Sequence, residues 1–399
     1  MTSFTSLGIA ADIASALSRC NICDPLPIQQ AVIPKALCGN NLLVCSQTGS
    51  GKTLTYLLPL IEQIRNQQDI KIAGVQALIL APTRELAQQI GHQCNQLCQM
   101  ASLRCTTIVG GVEYEPQRQA LASHPEIIIS TPGRLLDLLE QQVTSISGLR
   151  HLVIDEVDQM LDLGFKEPIT SLAQLRAPSA QTLCFSATLP LEVIEIINSL
   201  ATNIEQITLE DQPLAVPSIE HRGYYVSFEM MDPLLLHLLR ELQPPQAIIF
   251  TRSRKMADRI VELLSRNKFE AEAIHSDRSQ SAREHILERF RTSQTSILVA
   301  TDVIARGIDI ESITHIFNFG LPQNAEQYIH RCGRTGRAGR SGVAISLISP
   351  QEKEMVGEIC RLMKRHIVID WSHPYLTPDI SQALSTSSQQ KKRRGKSRR

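Results

Sequence analysis

Residues 42–53 read Leu42-Leu43-Val44-Cys45-Ser46-Gln47-Thr48-Gly49-Ser50-Gly51-Lys52-Thr53. A short apolar run stops at a glycine-rich turn, and a helical pattern opens at Lys52-Thr53. Glycines let backbone N–H groups turn inward around phosphates, at a helix N-terminus that favours anions. Lys52 can reach the β and γ phosphates, and the Thr53 hydroxyl can ligate Mg²⁺. The strict phosphate-loop pattern has Gly where Ser46 stands. Without a strand before it and a helix after it, the same stretch would read as an ordinary glycine-rich loop.

The surrounding chain supplies that context. Short, near-continuously apolar runs at 42–45, 77–80, 106–109, 127–130, 152–154 and 183–185 predict strands of a parallel sheet covered on both faces. Helical patterns lie between them, including 84–100 and 133–141. Strand–helix alternation predicts a doubly wound α/β domain over residues 1–208. Residues 209–218, LEDQPLAVPS, carry two prolines and no period, and read as a linker. Alternation restarts over 219–372, with strands expected at 224–228, 247–250, 271–274, 297–300, 315–319 and 343–348. No short sequence repeat relates the halves. Residues 373–399 turn polar and then basic, and read as a disordered tail.

Composition agrees. The chain has 399 residues, 43% of them hydrophobic and 20% charged, enough for about two domains with sizeable cores. No basic region followed by an apolar run opens the chain, and no run reaches the ~18 apolar residues of a membrane span. The expectation is a soluble, cytoplasmic protein without a membrane partner. Ten cysteines at irregular spacings read as free thiols in a reducing compartment. Cys20 and Cys23 lack a second pair to complete a zinc site. Lys plus Arg equals Asp plus Glu at 40 each, yet residues 391–399, KKRRGKSRR, hold seven basic residues and no acid. The tail is therefore a separate electrostatic element, suited to sequence-independent polyanion affinity or to a solubilising or localising role.

A second constellation is Asp155-Glu156-Val157-Asp158, directly after the apolar run 152–154. Three carboxylates at a strand's C-terminal end repel one another, and a bound cation would explain tolerating them. An acidic helix start is the plainer alternative. Paired with a phosphate loop, an Asp here can hold Mg²⁺ while a nearby carboxylate takes the proton of an attacking water.

Together these residues resemble the DEAD-box ATP-dependent RNA helicases, over about residues 4–350. After the phosphate loop come Pro82-Thr83-Arg84-Glu85-Leu86-Ala87, Gly110-Gly111, Thr131-Pro132-Gly133-Arg134, Asp155-Glu156-Val157-Asp158 and Ser186-Ala187-Thr188. The second half has Ile249-Phe250-Thr251-Arg252, Gln280 with Arg283, Ala300-Thr301-Asp302, Ala305-Arg306-Gly307-Ile308-Asp309 and His330-Arg331-Cys332-Gly333-Arg334-Thr335-Gly336-Arg337. The resemblance implies two tandem RecA-like domains with ATP in the cleft between them. It assigns Ser46, Gln47, Thr48, Gly49, Ser50, Gly51, Lys52 and Thr53 to ATP, Thr53 and Asp155 to Mg²⁺, and Glu156 to general base. Ser186 and Thr188, hydrogen-bonding near Asp158, would couple hydrolysis to unwinding together with His330. Arg334 and Arg337 would be arginine fingers that stabilise the transferring phosphoryl group only when the domains close. Phe4 and Gln29 match the family's adenine-reading motif, and Asp309 its ribose contact. RNA contacts fall on Arg84, Gly111, Thr131, Arg134, Arg252, Gln280, Arg283 and Thr301, types suited to a phosphate–sugar grip. Aromatics are 4% of the chain, so base stacking should not dominate.

The chain departs from the family pattern at several positions. Val157 stands where the family has Ala, Ser46 replaces Ala, Ser276 replaces Gly and Cys332 replaces an aliphatic residue. Leu26 takes a position usually Thr or Ser, and Ile22 one usually aromatic. Weaker ATP affinity is expected from the last two, with adenine selectivity kept by Gln29. The expected activity is RNA-stimulated ATP hydrolysis with local duplex unwinding or ribonucleoprotein remodelling by a monomer. An ATP-dependent RNA clamp, a DNA helicase and a catalytically dead scaffold are the competing readings.

Overall fold

The structure is a computed structural model and describes residues 2–46, 50–66, 74–175, 177, 179–208, 219–302, 312–336 and 341–376. Gln47, Thr48, Gly49, Asp309, Arg337, the expected linker and residues 377–399 lie outside the described residues. The chain divides into two compact units, Met1–Gln212 and Pro213–Arg399.

The first unit holds β1 (Asn41–Cys45), β2 (Ala77–Leu80), β3 (Cys105–Ile108), β4 (Ile127–Ser130), β5 (His151–Ile154), β6 (Gln181–Ser186) and β7 (Ile204–Thr208). They form one parallel sheet in the order β3-β4-β2-β5-β6-β1-β7. Helices cover both faces, so the central strands β2, β5 and β6 are buried along their whole length. Alternate residues still part to opposite faces. Ala77 and Ile79 join the core that contains Val44 and Tyr56, whereas Leu78 and Leu80 join the core that contains Leu152 and Ile154.

The second unit holds β8 (Ile219–Tyr225), β9 (Ala247–Thr251), β10 (Ala271–Ile274), β11 (Ile297–Thr301), β12 (His315–Phe319), β13 (Gly342–Ile348) and β14 (Val368–Ile369). Its parallel sheet has the order β10-β11-β9-β12-β13-β8-β14. Position for position this is the topology of the first unit. The halves are thus topological copies although no sequence repeat relates them.

Most strand limits fall within two residues of expectation, with larger differences in the second unit and at the sheet edges. The strand expected at 224–228 runs Ile219–Tyr225, and Phe228 begins a 3-10 turn, Phe228–Met230. The edge strands β7 and β14 were not expected. Residues 373–376 do not belong to a tail: the His373 ring bonds to the Tyr225 carbonyl at 3.1 Å, and Tyr375 and Leu376 pack on the second unit's cores. No described helix is long and apolar enough to cross a membrane.

Candidate nucleotide and RNA sites

Every strand in the first unit is parallel, so all the loops at strand C-termini lie along one edge of the sheet. Adjacent strands β5, β6 and β1 deliver one group of motifs there. Adjacent strands β3, β4 and β2 deliver another.

At the first group, the helix Lys52–Arg65 begins after Gly51, whose φ is +88°. A Cβ on Gly51 would sit 2.6 Å from Leu26 Cδ1 and 3.0 Å from Gln29 Nε2, so glycine meets both a conformational and a steric demand. Lys52 is only 7% exposed, and its Nζ donates to the Ser46 carbonyl at 3.0 Å. The ammonium is thus held across the turn of the loop. Gln29 Oε1 accepts from the Leu26 N–H at 2.8 Å, and its Nε2 donates to the Gly51 carbonyl at 3.4 Å. Gln29 therefore ties the start of the helix Pro27–Leu37 to the phosphate loop. Leu26 meets Gly51 with a methyl group in place of a hydroxyl. Ile22 packs against the core, and Phe4 lies buried within it rather than on an open surface.

Asp155 is 3% exposed at the end of β5. Tyr56 Oη donates to its Oδ2 at 3.0 Å, and the Glu156 N–H donates to its Oδ1 at 2.9 Å. Burial raises its pKa, against the pull of the Lys52 ammonium and the Tyr56 hydrogen bond. The Tyr56 hydroxyl also interacts with the Thr53 side chain. Glu156 takes a left-handed backbone, φ +53°, before the helix Val157–Asp162. This turn falls at the middle one of the three acidic residues, between Asp155 at the strand end and Asp158 in the helix.

Asp158 does not join a cage with the other two. Its Oδ2 accepts from the Ala187 N–H at 3.1 Å, the Thr188 N–H at 2.9 Å and the Thr188 hydroxyl at 2.9 Å. Ser186 Oγ donates to the Thr188 carbonyl at 2.7 Å, not to Asp158. Hydrogen bonds from the Ala187–Thr188 segment satisfy Asp158. Val157 is fully buried in the core beneath, where its two extra methyls pack.

The second group meets around residues 109–112. The Arg84 guanidinium lies against the backbone of Gly110 and Gly111, and a Cβ on Gly111 would stand 1.9 Å from Arg84 Nη1. Arg134 donates from both Nη atoms to the Val112 carbonyl, each at 3.1 Å, and lies 4.0 Å over the Tyr114 ring. Gln117 closes the same loop through the Val109 N–H and carbonyl at 3.0 and 3.2 Å. Thr131 caps β4 from within the same cluster, with its N–H on the Ile108 carbonyl at 3.2 Å. Four residues expected to touch RNA thus lie together.

In the second unit, Arg252 donates to the Leu321 carbonyl at 2.8 Å and pairs with Glu352. Arg283 bonds Gln280 one helical turn away, and Thr301 ends β11. Arg334 is 3% exposed, and its Nε donates to the His330 carbonyl at 3.2 Å. Sequence reasoning quoted Arg331 and Asp302 within motifs without giving them a task. Arg331 is buried and bidentate on Asp302, with a further bond to Asn318 Oδ1 at 3.1 Å. That pair fixes the helix Ala325–Cys332 to the end of β11 and so sets where Arg334 begins.

The DEAD/DEAH box helicase family matches residues 26–197, and the helicase conserved C-terminal domain matches residues 230–339. The DEAD-box ATP-dependent RNA helicase CshA of Geobacillus kaustophilus is 36% identical over 365 residues, covering 92% of this chain and 77% of that protein. The chain belongs to the DEAD-box ATP-dependent RNA helicase family. Among solved structures of this helicase family, S. cerevisiae Dbp5 bound to RNA and ADP BeF3 is similar at a TM-score of 0.84 and 26% identity, covering 96% of this chain and 100% of that one. Mss116 bound to ssRNA and UDP-BeF is similar at a TM-score of 0.85 and 26% identity, covering 96% and 83%. The helicase family's tandem RecA-like fold is therefore the fold of this chain, one RecA-like sheet in each unit.

Proposed function

We propose that this chain is an RNA-stimulated ATPase that separates short RNA duplexes or strips protein from RNA. The observation that carries the reading is the join between the acidic motif and the Ser-Ala-Thr turn, made by Asp158 and Thr188. A nucleotide-dependent change at Asp155 and Glu156 has a direct mechanical route to the end of β6.

Lys52 and the N–H groups of the loop from Ser46 to Gly51 hold the phosphates, Lys52 exchanging the Ser46 carbonyl for phosphate oxygen. The Gln29 amide retains a second N–H and a second lone pair for the adenine edge. Thr53 and Asp155 are the residues that hold Mg²⁺. Their fit rests on the chemistry of the pair: a hydroxyl and one buried carboxylate triangulated by Tyr56 suit an ion that takes few protein ligands and completes its shell with phosphates and water. The chemistry a bound Mg²⁺ supplies is charge neutralisation at the phosphate oxygens. Glu156 accepts the proton of the attacking water. Arg334 and Arg337 stabilise charge on the transferring phosphoryl group, and Asp309 contacts the ribose.

Arg84, Gly111, Thr131, Arg252, Gln280, Arg283 and Thr301 form the RNA grip, through phosphate and sugar and hence largely without sequence preference, and Arg134 holds the 109–112 loop in place for it. The protein acts as a cytoplasmic monomer, since one chain carries both sets of nucleotide residues. Strand separation of a short RNA duplex tests the reading. ATP should drive separation in the native chain and not in Glu156→Gln. ATP-dependent RNA retention with no separation would instead mark a clamp.

A further inference from the structure

One group of side chains has a chemistry that nucleotide and RNA binding do not use. Cys94 and Cys98 stand one turn apart on the helix Arg84–Ala101, and Cys105 opens β3. Their three sulfur atoms all lie within 4.8 Å of one another, with Cys94 and Cys98 Sγ 3.6 Å apart. Among the described residues this is the one such gathering of three His, Cys, Asp or Glu ligand atoms.

We propose that Cys94, Cys98 and Cys105 form a three-sulfur site for a thiophilic d¹⁰ ion, with Cu(I) the best fit. Soft thiolates select Cu(I) over hard cations. A metal–sulfur bond of ~2.3 Å sets the sulfurs of a trigonal site about 4 Å apart, so the observed spread needs only small side-chain adjustment. Zn(II) favours a fourth ligand, and no fourth His, Cys, Asp or Glu joins the group among the described residues.

The surroundings suit such an ion. Cys94 and Cys98 are buried in a core with Leu97, Ala101 and Leu103, which keeps water from competing. Cys105 is partly exposed on the edge strand of the sheet, which gives an entry path. The thiol protons pass to solvent as the ion binds. The bound ion would tie the helix that begins at Arg84 to the strand that leads to Gly110 and Gly111.

The test uses the full chain with the exposed Cys20, Cys23 and Cys38 changed to Ser, titrated anaerobically with Cu(I) against bathocuproine disulfonate. One equivalent should resist the chelator and give a thiolate-to-copper ultraviolet band. Cys105→Ser in that background should weaken binding at least about tenfold. Cys360→Ser should leave it unchanged. No chelator-resistant Cu(I), or unchanged affinity in Cys105→Ser, overturns the site. If Cys105→Ser fails to fold, judged by circular dichroism, Cys98→Ser carries the same comparison. Should neither fold, the site predicts a Cu(I)-dependent rise in the Tm of the surface-substituted chain, and its absence counts against the proposal.

Discussion

Tyr56 donates its phenolic hydrogen to Asp155 Oδ2 at 3.0 Å, joining the helix after the phosphate loop to the end of β5. The two residues are 99 positions apart, and both are buried. The Tyr56 ring also packs 5.1 Å from Phe185 on β6. One side chain thus fixes the distance between the phosphate loop and the acidic motif, while its hydroxyl offsets part of the burial that raises the Asp155 pKa.

Tyr56→Phe keeps the ring and removes that hydrogen bond. A hydrogen bond to a charged group stabilises the carboxylate form, so losing it should raise the Asp155 pKa further. A raised carboxylate pKa means activity is lost earlier as pH falls. The acid limb of the ATPase pH profile should move upward, with little change in rate at pH 8. An unmoved acid limb would remove Tyr56 from this role.

Thr188→Ala removes one of three hydrogen bonds on Asp158 Oδ2 and leaves the two backbone donors. The fold should survive because the carboxylate stays bonded. RNA-stimulated ATP hydrolysis should persist within a few fold while strand separation falls roughly tenfold, a split that reads as lost coupling. Parallel losses in both assays would contradict it.

Arg134 has been expected to touch RNA, yet it is 8% exposed and commits both Nη atoms to the Val112 carbonyl. It is better placed to position the 109–112 loop than to meet a phosphate. Arg134→Lys loses the fork. RNA affinity, read by fluorescence anisotropy, should fall roughly tenfold with an unchanged salt slope, whereas losing a direct phosphate contact would lower the slope by about one. A reduced slope would restore the direct role.

Acid should destabilise each unit through a buried histidine. Burial lowers His151 to about 4 in the first unit and His221 to about 4 in the second. The unfolded chain binds a proton near pH 6.5 and the folded chain does not. Stability is therefore intact above about pH 6.5 and is lost as pH falls toward 4. Between pH 7 and pH 5 the loss is about 2 kcal/mol per histidine, or about 4–8 °C in Tm. His221→Asn should flatten this dependence for the second unit's transition, measured by scanning calorimetry.

Much of this was legible in the sequence. Runs such as 77–80 and 127–130 are almost wholly apolar because both sheet faces are covered, and their ends match the strands β2 and β4. The start of β8 escaped because Glu220, His221 and Arg222 interrupt its apolar content near the sheet edge. The site's residue types were legible, but its long-range bonds were not. Nothing in the order of residues shows that Tyr56 reaches Asp155, or that Arg331 is buried on Asp302. The three sulfurs looked irregular in spacing because a helix face and the next strand, not a linear motif, bring them together.

The most direct test is steady-state ATP hydrolysis with and without single-stranded RNA, with DNA as comparator and Glu156→Gln as blank. Strong stimulation by RNA, weak stimulation by DNA and none in Glu156→Gln is the predicted result. Hydrolysis that RNA leaves unchanged, or that DNA stimulates equally, would contradict it.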